Sequence, residues 1–264
     1  MNKITPIIVQ CGKGQRKEGV GMGGVMLYNY LKNVIVFDRP IIINEAEFDN
    51  FNCGQKILKN YTNYIIKSNK FPLILGGDHS ISYGSISGLL EYYRENIHIL
   101  WIDSHTDINT EVSSVTKNKH GMVVSSLMGM NNWGENTYDM QSSQITYIGP
   151  CSLDSYEKEF INSHNITLIP KDKIYNIDLL NKIPKDKPIH ISFDVDVIDK
   201  HLIPCTGTPV NTGLLPLHIQ NIIDMHKKQI VSMDIVEFNP YLCNDLQNDL
   251  SMKFIYNSIN NLFN

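Results

Sequence analysis

IHISFDVDVID occupies residues 189–199. Residues 189–193 are strand-length and almost uninterruptedly apolar, and two aspartates, Asp194 and Asp196, follow at once. Such a run suits a strand covered on both faces, as in a parallel sheet. Acids directly after a covered strand are costly unless something answers their charge, because an unpaired buried charge loses its hydration. Working outward, similar runs occur at residues 4–9, 34–37, 71–75, 97–102, 145–148 and 230–235. Amphipathic stretches at 24–31, 52–68, 80–94, 155–163, 217–227 and 247–262 lie between them and read as helices. Alternating strand and helix predicts an α/β fold with a mostly parallel, doubly wound sheet. Residues 109–144 are long, polar and rich in Ser, Asn, Gly and Met. A loop of that length in a compact domain is more often functional than idle.

At 264 residues, with neither repeat nor linker-like boundary, the chain reads as one domain spanning 1–264. With 42% hydrophobic and 19% charged residues it is no disordered chain. The balance of 23 Lys+Arg against 27 Asp+Glu leaves no basic run for phosphates, so nucleic acid is not an expected partner. No apolar stretch approaches the ~18 residues of a spanning helix, and the N-terminus lacks a signal-peptide pattern, so a cytoplasmic protein away from membranes is expected. Five cysteines, odd in number, widely spaced and without CxxC, are expected to be reduced and mostly buried.

Four segments place acids or imidazoles straight after expected strands: GGDHS (76–80), DSHTD (103–107), DVD (194–196) and Glu237. In an open parallel sheet, ligands bind beyond the carboxyl ends of the strands, so these segments are expected to converge there. In extended backbone, residues i, i+2 and i+4 share a side, which would aim Asp103, His105 and Asp107 together and pair Asp194 with Asp196. Clustered carboxylates raise each other's pKa unless cations are present, and two divalent ions would supply that charge. With His79 and His105 the set is four Asp and two His, a mixture of oxygen and imidazole that suits Mn²⁺, with Fe²⁺, Co²⁺, Ni²⁺ or Zn²⁺ left open. Taken singly, Asp78 or Ser80 also reads as a helix N-cap, and Asp-x-His-x-Asp as an Asx turn.

Together, GGDHS, DSHTD and SFDVDVID (192–199) resemble the signatures of the ureohydrolases, the family of arginase, agmatinase and formiminoglutamase. DSHTDINT (103–110), TKNKHG (116–121), CTGTPV (205–210) and KGQRKEGV (13–20) are most similar to arginase segments. The resemblance implies a three-layer αβα fold and a dinuclear manganese site, with two Mn²⁺ ions. His79, Asp103, Asp107 and Asp194 would hold one ion, and Asp103, His105, Asp194 and Asp196 the other. It implies hydrolysis of L-arginine to L-ornithine and urea by a hydroxide between the metals, with catalytic roles for Asp107, His120 and Glu237. His120 would shuttle a proton to the leaving amine, as an imidazole titrating near working pH can, and Glu237 would anchor the guanidinium. Asn109, Thr116 and Asn118 resemble the residues that hold the substrate carboxylate, Asp154 and Glu157 those near its α-amino group, and Thr208 a threonine beside the site. Homotrimers or homohexamers are common in the family and are expected here.

The chain departs from the arginase pattern in three places. Ser104 stands where arginases usually carry Ala, and Lys200 where the family has Pro. Gly149-Pro150-Cys151-Ser152-Leu153-Asp154 replaces an arginase-like Gly-Leu-Arg-Asp-Val-Asp and loses an Arg and an Asp. Two other readings follow: a ureohydrolase of agmatine or another guanidino or formimino compound, and a catalytically silent metal-binding relative.

Overall fold

The computed structural model describes residues 3–134 and 138–263. Eight strands form one sheet: β1 (Ile4–Val9), β2 (Ile41–Ile43), β3 (Phe71–Leu75), β4 (His98–Ile102), β5 (Ile145–Ile148), β6 (Thr167–Ile169), β7 (Ile189–Asp194) and β8 (Ile230–Val236). Their order is β2-β1-β3-β8-β7-β4-β5-β6, and every pair is parallel. The helices are α1 (Gly23–Leu31), α2 (Phe51–Lys67), α3 (Ser82–Tyr93), α4 (Val123–Leu127), α5 (Ser155–Ser163), α6 (Ile177–Leu180), α7 (Pro216–His226) and α8 (Asp245–Phe263).

Helices cover both faces, and β4 shows how. Leu100 and Ile102 join one apolar cluster with Leu27 of α1, Ile219 and Ile223 of α7 and Ile255 and Ile259 of α8. Ile99 and Trp101 point the other way, into a cluster with Ile86 and Leu90 of α3 and Phe160 of α5. Alternate side chains of one strand thus feed two cores, which is why the run shows no polar alternation. The chain leaves β3, skips two strand positions to β4, builds outward to β6, and returns through β7 and β8 to fill the gap. The four central neighbours, β3, β8, β7 and β4, are those followed by the four acid- and imidazole-bearing segments.

Three expectations change. Residues 34–37 form no strand: Val34 N–H and Ile35 N–H turn back to Leu31 O, and Val36 is 92% exposed. The strand beside β1 lies further on, at β2, past Pro40. Residues 109–144 are not wholly irregular, since α4 buries Val123, Val124 and Leu127 in the cluster that includes Leu89 and Leu90. Two cysteines, Cys205 and Cys243, form a disulfide, and of the three free thiols only Cys11 is buried, Cys53 and Cys151 being exposed. The disulfide partners are 38 residues apart in sequence. Pairing of Thr206 with Phe238, together with Asn239 N–H donating to Cys205 O, brings them side by side. Among the described residues, no helix is long and apolar enough to cross a membrane.

Candidate metal centre and substrate cleft

The site segments converge, but not by extended alternation. β4 ends at Ile102, the chain bends through residues 103–105, and Asp107 adopts a left-handed φ of 47°. A repeated device aims the acids instead. Asp78 Oδ1 accepts from Ser80 N–H (2.9 Å), Asp103 Oδ1 from His105 N–H (2.7 Å) and Asp194 Oδ1 from Asp196 N–H (2.8 Å). Each acid thus closes a local turn with one oxygen, as short polar side chains do, and keeps the other for tertiary partners. The cap at Asp78 and the Asx turn at Asp103 therefore both form, but DSHTD is no solvated loop, since Asp103, Thr106 and Asp107 are buried, and for Asp103 and Asp194 the turn is what orients the functional oxygen. After β3 the chain turns through Gly76 (φ 115°) and Gly77 (φ 65°), a conformation that favours glycine.

His79 is the hub. Its ring stacks on Trp101 (centroids 4.2 Å apart, planes 5° apart), and Nε2 lies 2.9 Å from Ser192 Oγ. Nδ1 is buried without a hydrogen-bond partner, yet it faces Asp103 Oδ2 (3.1 Å), Asp107 Oδ2 (3.2 Å) and Asp194 Oδ2 (3.3 Å). His105 Nδ1 similarly faces Asp103 Oδ1 (3.4 Å) and Asp196 Oδ2 (3.2 Å). Two donor groups, His79–Asp103–Asp107 and Asp103–His105–Asp196, each have all ligand atoms within 4.8 Å of one another, and they share Asp103. Asp103 and Asp196 are completely buried, Asp194 is 3% and Asp107 8% exposed.

The electrostatics follow from that crowding. Burial disfavours the His79 imidazolium, but the carboxylates of Asp103, Asp107 and Asp194 facing Nδ1 outweigh it and hold its pKa well above the usual value. Burial, then the charges of Asp196 and Asp103, lift the Asp194 carboxyl well above its usual range, and burial with Asp103 pushes Asp107 up to about 6. Four acids against two imidazoles leave an excess of negative charge that divalent cations would neutralise. Oxygen and imidazole donors, without thiolate, fit a hard or borderline ion such as Mn²⁺.

Glu237 follows β8 with a left-handed φ of 66° and is 3% exposed. Its Oε1 accepts from His79 N–H (2.9 Å) and lies 3.0 Å from His120 Nδ1, while Oε2 accepts from Gln15 Nε2 (2.7 Å). Burial opposes protonation of His120, but the hydrogen bond and charge of Glu237 prevail and raise its pKa to about 9. His120 is thereby brought against Glu237 across 117 residues of sequence.

The expected recognition residues are less concentrated. Asn109 Nδ2 donates to Asp154 Oδ2 (3.0 Å) and Asn109 Oδ1 accepts from Ser113 Oγ (2.8 Å). Asp154 and Glu157 form a reciprocal capping box at the start of α5, so a cap reading fits them as well as a recognition one. Glu157 Oε1 also accepts from Thr106 Oγ1 (2.7 Å). Thr116 is exposed and accepts from Asn118 N–H (3.3 Å). Thr208 donates to Asp196 Oδ2. Sequence reasoning missed two residues here. Ser104 Oγ donates to Asp196 Oδ1 (2.6 Å), so the departure from Ala adds a direct contact to the cluster. Gln15 reaches Glu237 from 222 residues away, and only its place in KGQRKEGV hinted at the site.

An open parallel sheet with carboxylates and imidazoles gathered beyond its central strands defines an α/β protein with a candidate metal-binding hydrolase centre. The model of the arginase family matches residues 24–259, and the chain belongs to that family. It is 37% identical to an arginase of Plasmodium berghei, over 72% of this chain and 58% of that protein. It is 33% identical to an arginase of Staphylococcus aureus, over 87% of each. Among solved structures it resembles arginase from Bacillus subtilis (TM-score 0.85, 25% identity, 97% of this chain and 98% of that one). It also resembles Entamoeba histolytica arginase in complex with L-ornithine (TM-score 0.87, 26% identity, 99% and 98%). The chain spans 58% of the length of the two Plasmodium arginases it matches.

Proposed function

We propose that this chain is an arginase, hydrolysing L-arginine to L-ornithine and urea with two manganese ions. The observation that carries this reading is His79 Nδ1, buried, without a hydrogen-bond partner and facing three carboxylate oxygens. His79, Asp103, Asp107 and Asp194 would hold one ion and Asp103, His105, Asp194 and Asp196 the other. Bound there, the ions would lower the pKa of water toward neutrality and supply the strong nucleophile that a delocalised, cationic guanidinium demands.

The remaining work falls to the chain's own residues. Glu237 offers a buried carboxylate to the planar cation. His120, protonated below about pH 9, stands against Glu237 and donates its proton to the leaving amine. Asn109, Thr116 and Asn118 offer neutral polar groups to a substrate carboxylate, and Asp154 with Glu157 acidic ones to its α-amino group. The same reading takes the chain as one domain, cytoplasmic, acting as a homotrimer or homohexamer.

Agmatine or another guanidino compound is the second reading. It is favoured by the engagement of Asp154 in the α5 cap and with Asn109, in a segment lacking the arginase-like Arg and Asp. Metal analysis coupled to urea release from L-arginine, agmatine and guanidinobutyrate separates the two. Ornithine with urea from arginine supports the first, and urea from agmatine alone overturns it.

A further inference from the structure

Residues 12–18 form a strap that touches four segments of the site. Gly14 N–H donates to Asp78 Oδ2 (2.8 Å) and Gly14 O accepts from His120 N–H (3.2 Å). Gln15 Nε2 donates to Glu237 Oε2, and Lys17 Nζ to Gly207 O, next to Thr208. Gly14 leaves no room for a side chain at the strap's centre, since a Cβ there would collide with Asp78 Oδ1 and Ser80 Oγ.

We propose that Gln15 is a positioning residue for guanidinium recognition, its amide fixing the plane of the Glu237 carboxylate. The proposal rests on the reading of Glu237 as the guanidinium anchor. A carboxylate gripped only at Oε1, by His79 N–H and His120, is free to pivot about that oxygen. A donor 2.7 Å from Oε2 stops the pivot and sets which lone pairs face the cleft. A neutral amide does this without placing a competing cation beside the carboxylate. Because Gln15 is half-buried and the strap is tied down independently at Gly14 and Lys17, the Gln15 contact is separable from the strap's own anchorage.

The test uses the full-length, manganese-loaded protein with Gln15→Met, which keeps length and removes the N–H, and Gln15→Glu, which removes the donor and adds negative charge. For Gln15→Met, KM for the guanidino substrate and the Kd for millimolar guanidinium ion are expected to rise tenfold or more, the size of a lost hydrogen bond to a charged group. Expected alongside are kcat within about threefold, unchanged melting temperature and metal content, and unchanged inhibition by L-ornithine, which lacks the guanidinium. Gln15→Glu should bind guanidinium ion no better than Gln15→Met. Unaltered guanidinium affinity in Gln15→Met, equal losses for guanidinium ion and ornithine, or tighter guanidinium binding by Gln15→Glu would each overturn the proposal. Wild-type protein that releases no urea from L-arginine overturns the arginase reading, and the guanidinium-binding comparison still decides the role of Gln15.

Discussion

Around His79 the acids are closed off from solvent, and Asp103 and Asp194 each have one oxygen tied into a local turn. At the rim, Asp154 is exposed, Thr116 is exposed, and Asp154 and Glu157 spend hydrogen bonds on the start of α5. One region is therefore over-determined: its donors sit at the ends of β3, β7 and β4, and its acids are held by buried contacts. The other sits on loops and a helix cap, where a changed residue costs little stability. The difference explains how segment 149–154 can depart from the arginase pattern while His79, Asp103, His105, Asp107, Asp194 and Asp196 lie together. On the proposed function, metal binding and substrate choice fall on separate parts of the fold and can vary separately.

Asp194→Ala, in the over-determined region, should have the most severe effect. It removes a carboxylate facing His79, and urea release is expected to fall to the blank with bound metal reduced. Full activity with undiminished metal content would show that the cluster is not the centre. His120→Ala is next, with kcat down about 10²–10⁴-fold and metal retained. The wild-type kcat should fall as pH rises through about 9, where His120 loses its proton. The sign for stability is the same, since the folded pKa lies above the ordinary value near 6.5. The stabilisation from the His120–Glu237 contact is full below that value and lost through the folded one. Urea release and denaturant midpoints across pH 6–10, with His120→Asn as control, check both.

Outside both regions, the Cys205–Cys243 disulfide ties the segment before Thr208 to the one after Glu237. Cys243→Ser is expected to cost about 2–4 kcal/mol in denaturant unfolding under non-reducing conditions. KM should be nearly unchanged, because the Thr206–Phe238 pairing stays. Dithiothreitol should bring the wild type to the variant's midpoint. The smallest effect belongs to the rim, where Asp154→Ala should lose about 1 kcal/mol as a helix cap. If it also recognises the α-amino group, KM for L-arginine should rise about tenfold while agmatine is unaffected. A loss of metal in that variant would erase the distinction between the regions.

Much of this was legible in the residues. The runs at 4–9, 71–75 and 145–148 are strands at those bounds because a strand buried on both faces has no polar alternation to blur its ends. Three-residue strands such as β2 and β6 carry too little pattern, and 34–37 looked like a strand only because β-branched residues also occur in exposed turns. The convergence of DSHTD was foreseen for a mistaken reason, since Asx-type turns and a left-handed Asp107 aim those side chains rather than a continued strand. Nothing local marks the role of Ser104, because its partner Asp196 is 92 residues away.

The identity of the chemistry, acids and imidazoles placed at the ends of covered strands, belongs to the linear chain, because burial of a strand and the cost of a charge beside it are local properties. Which strands stand side by side belongs to the tertiary structure. The return of β7 and β8 between β3 and β4 places His79, Asp103, Asp194 and Glu237 at one crevice. It also lets Gln15 and His120 meet Glu237 and joins Cys205 to Cys243. Contacts between residues far apart in sequence are set by how the layers pack, and no local pattern carries that information.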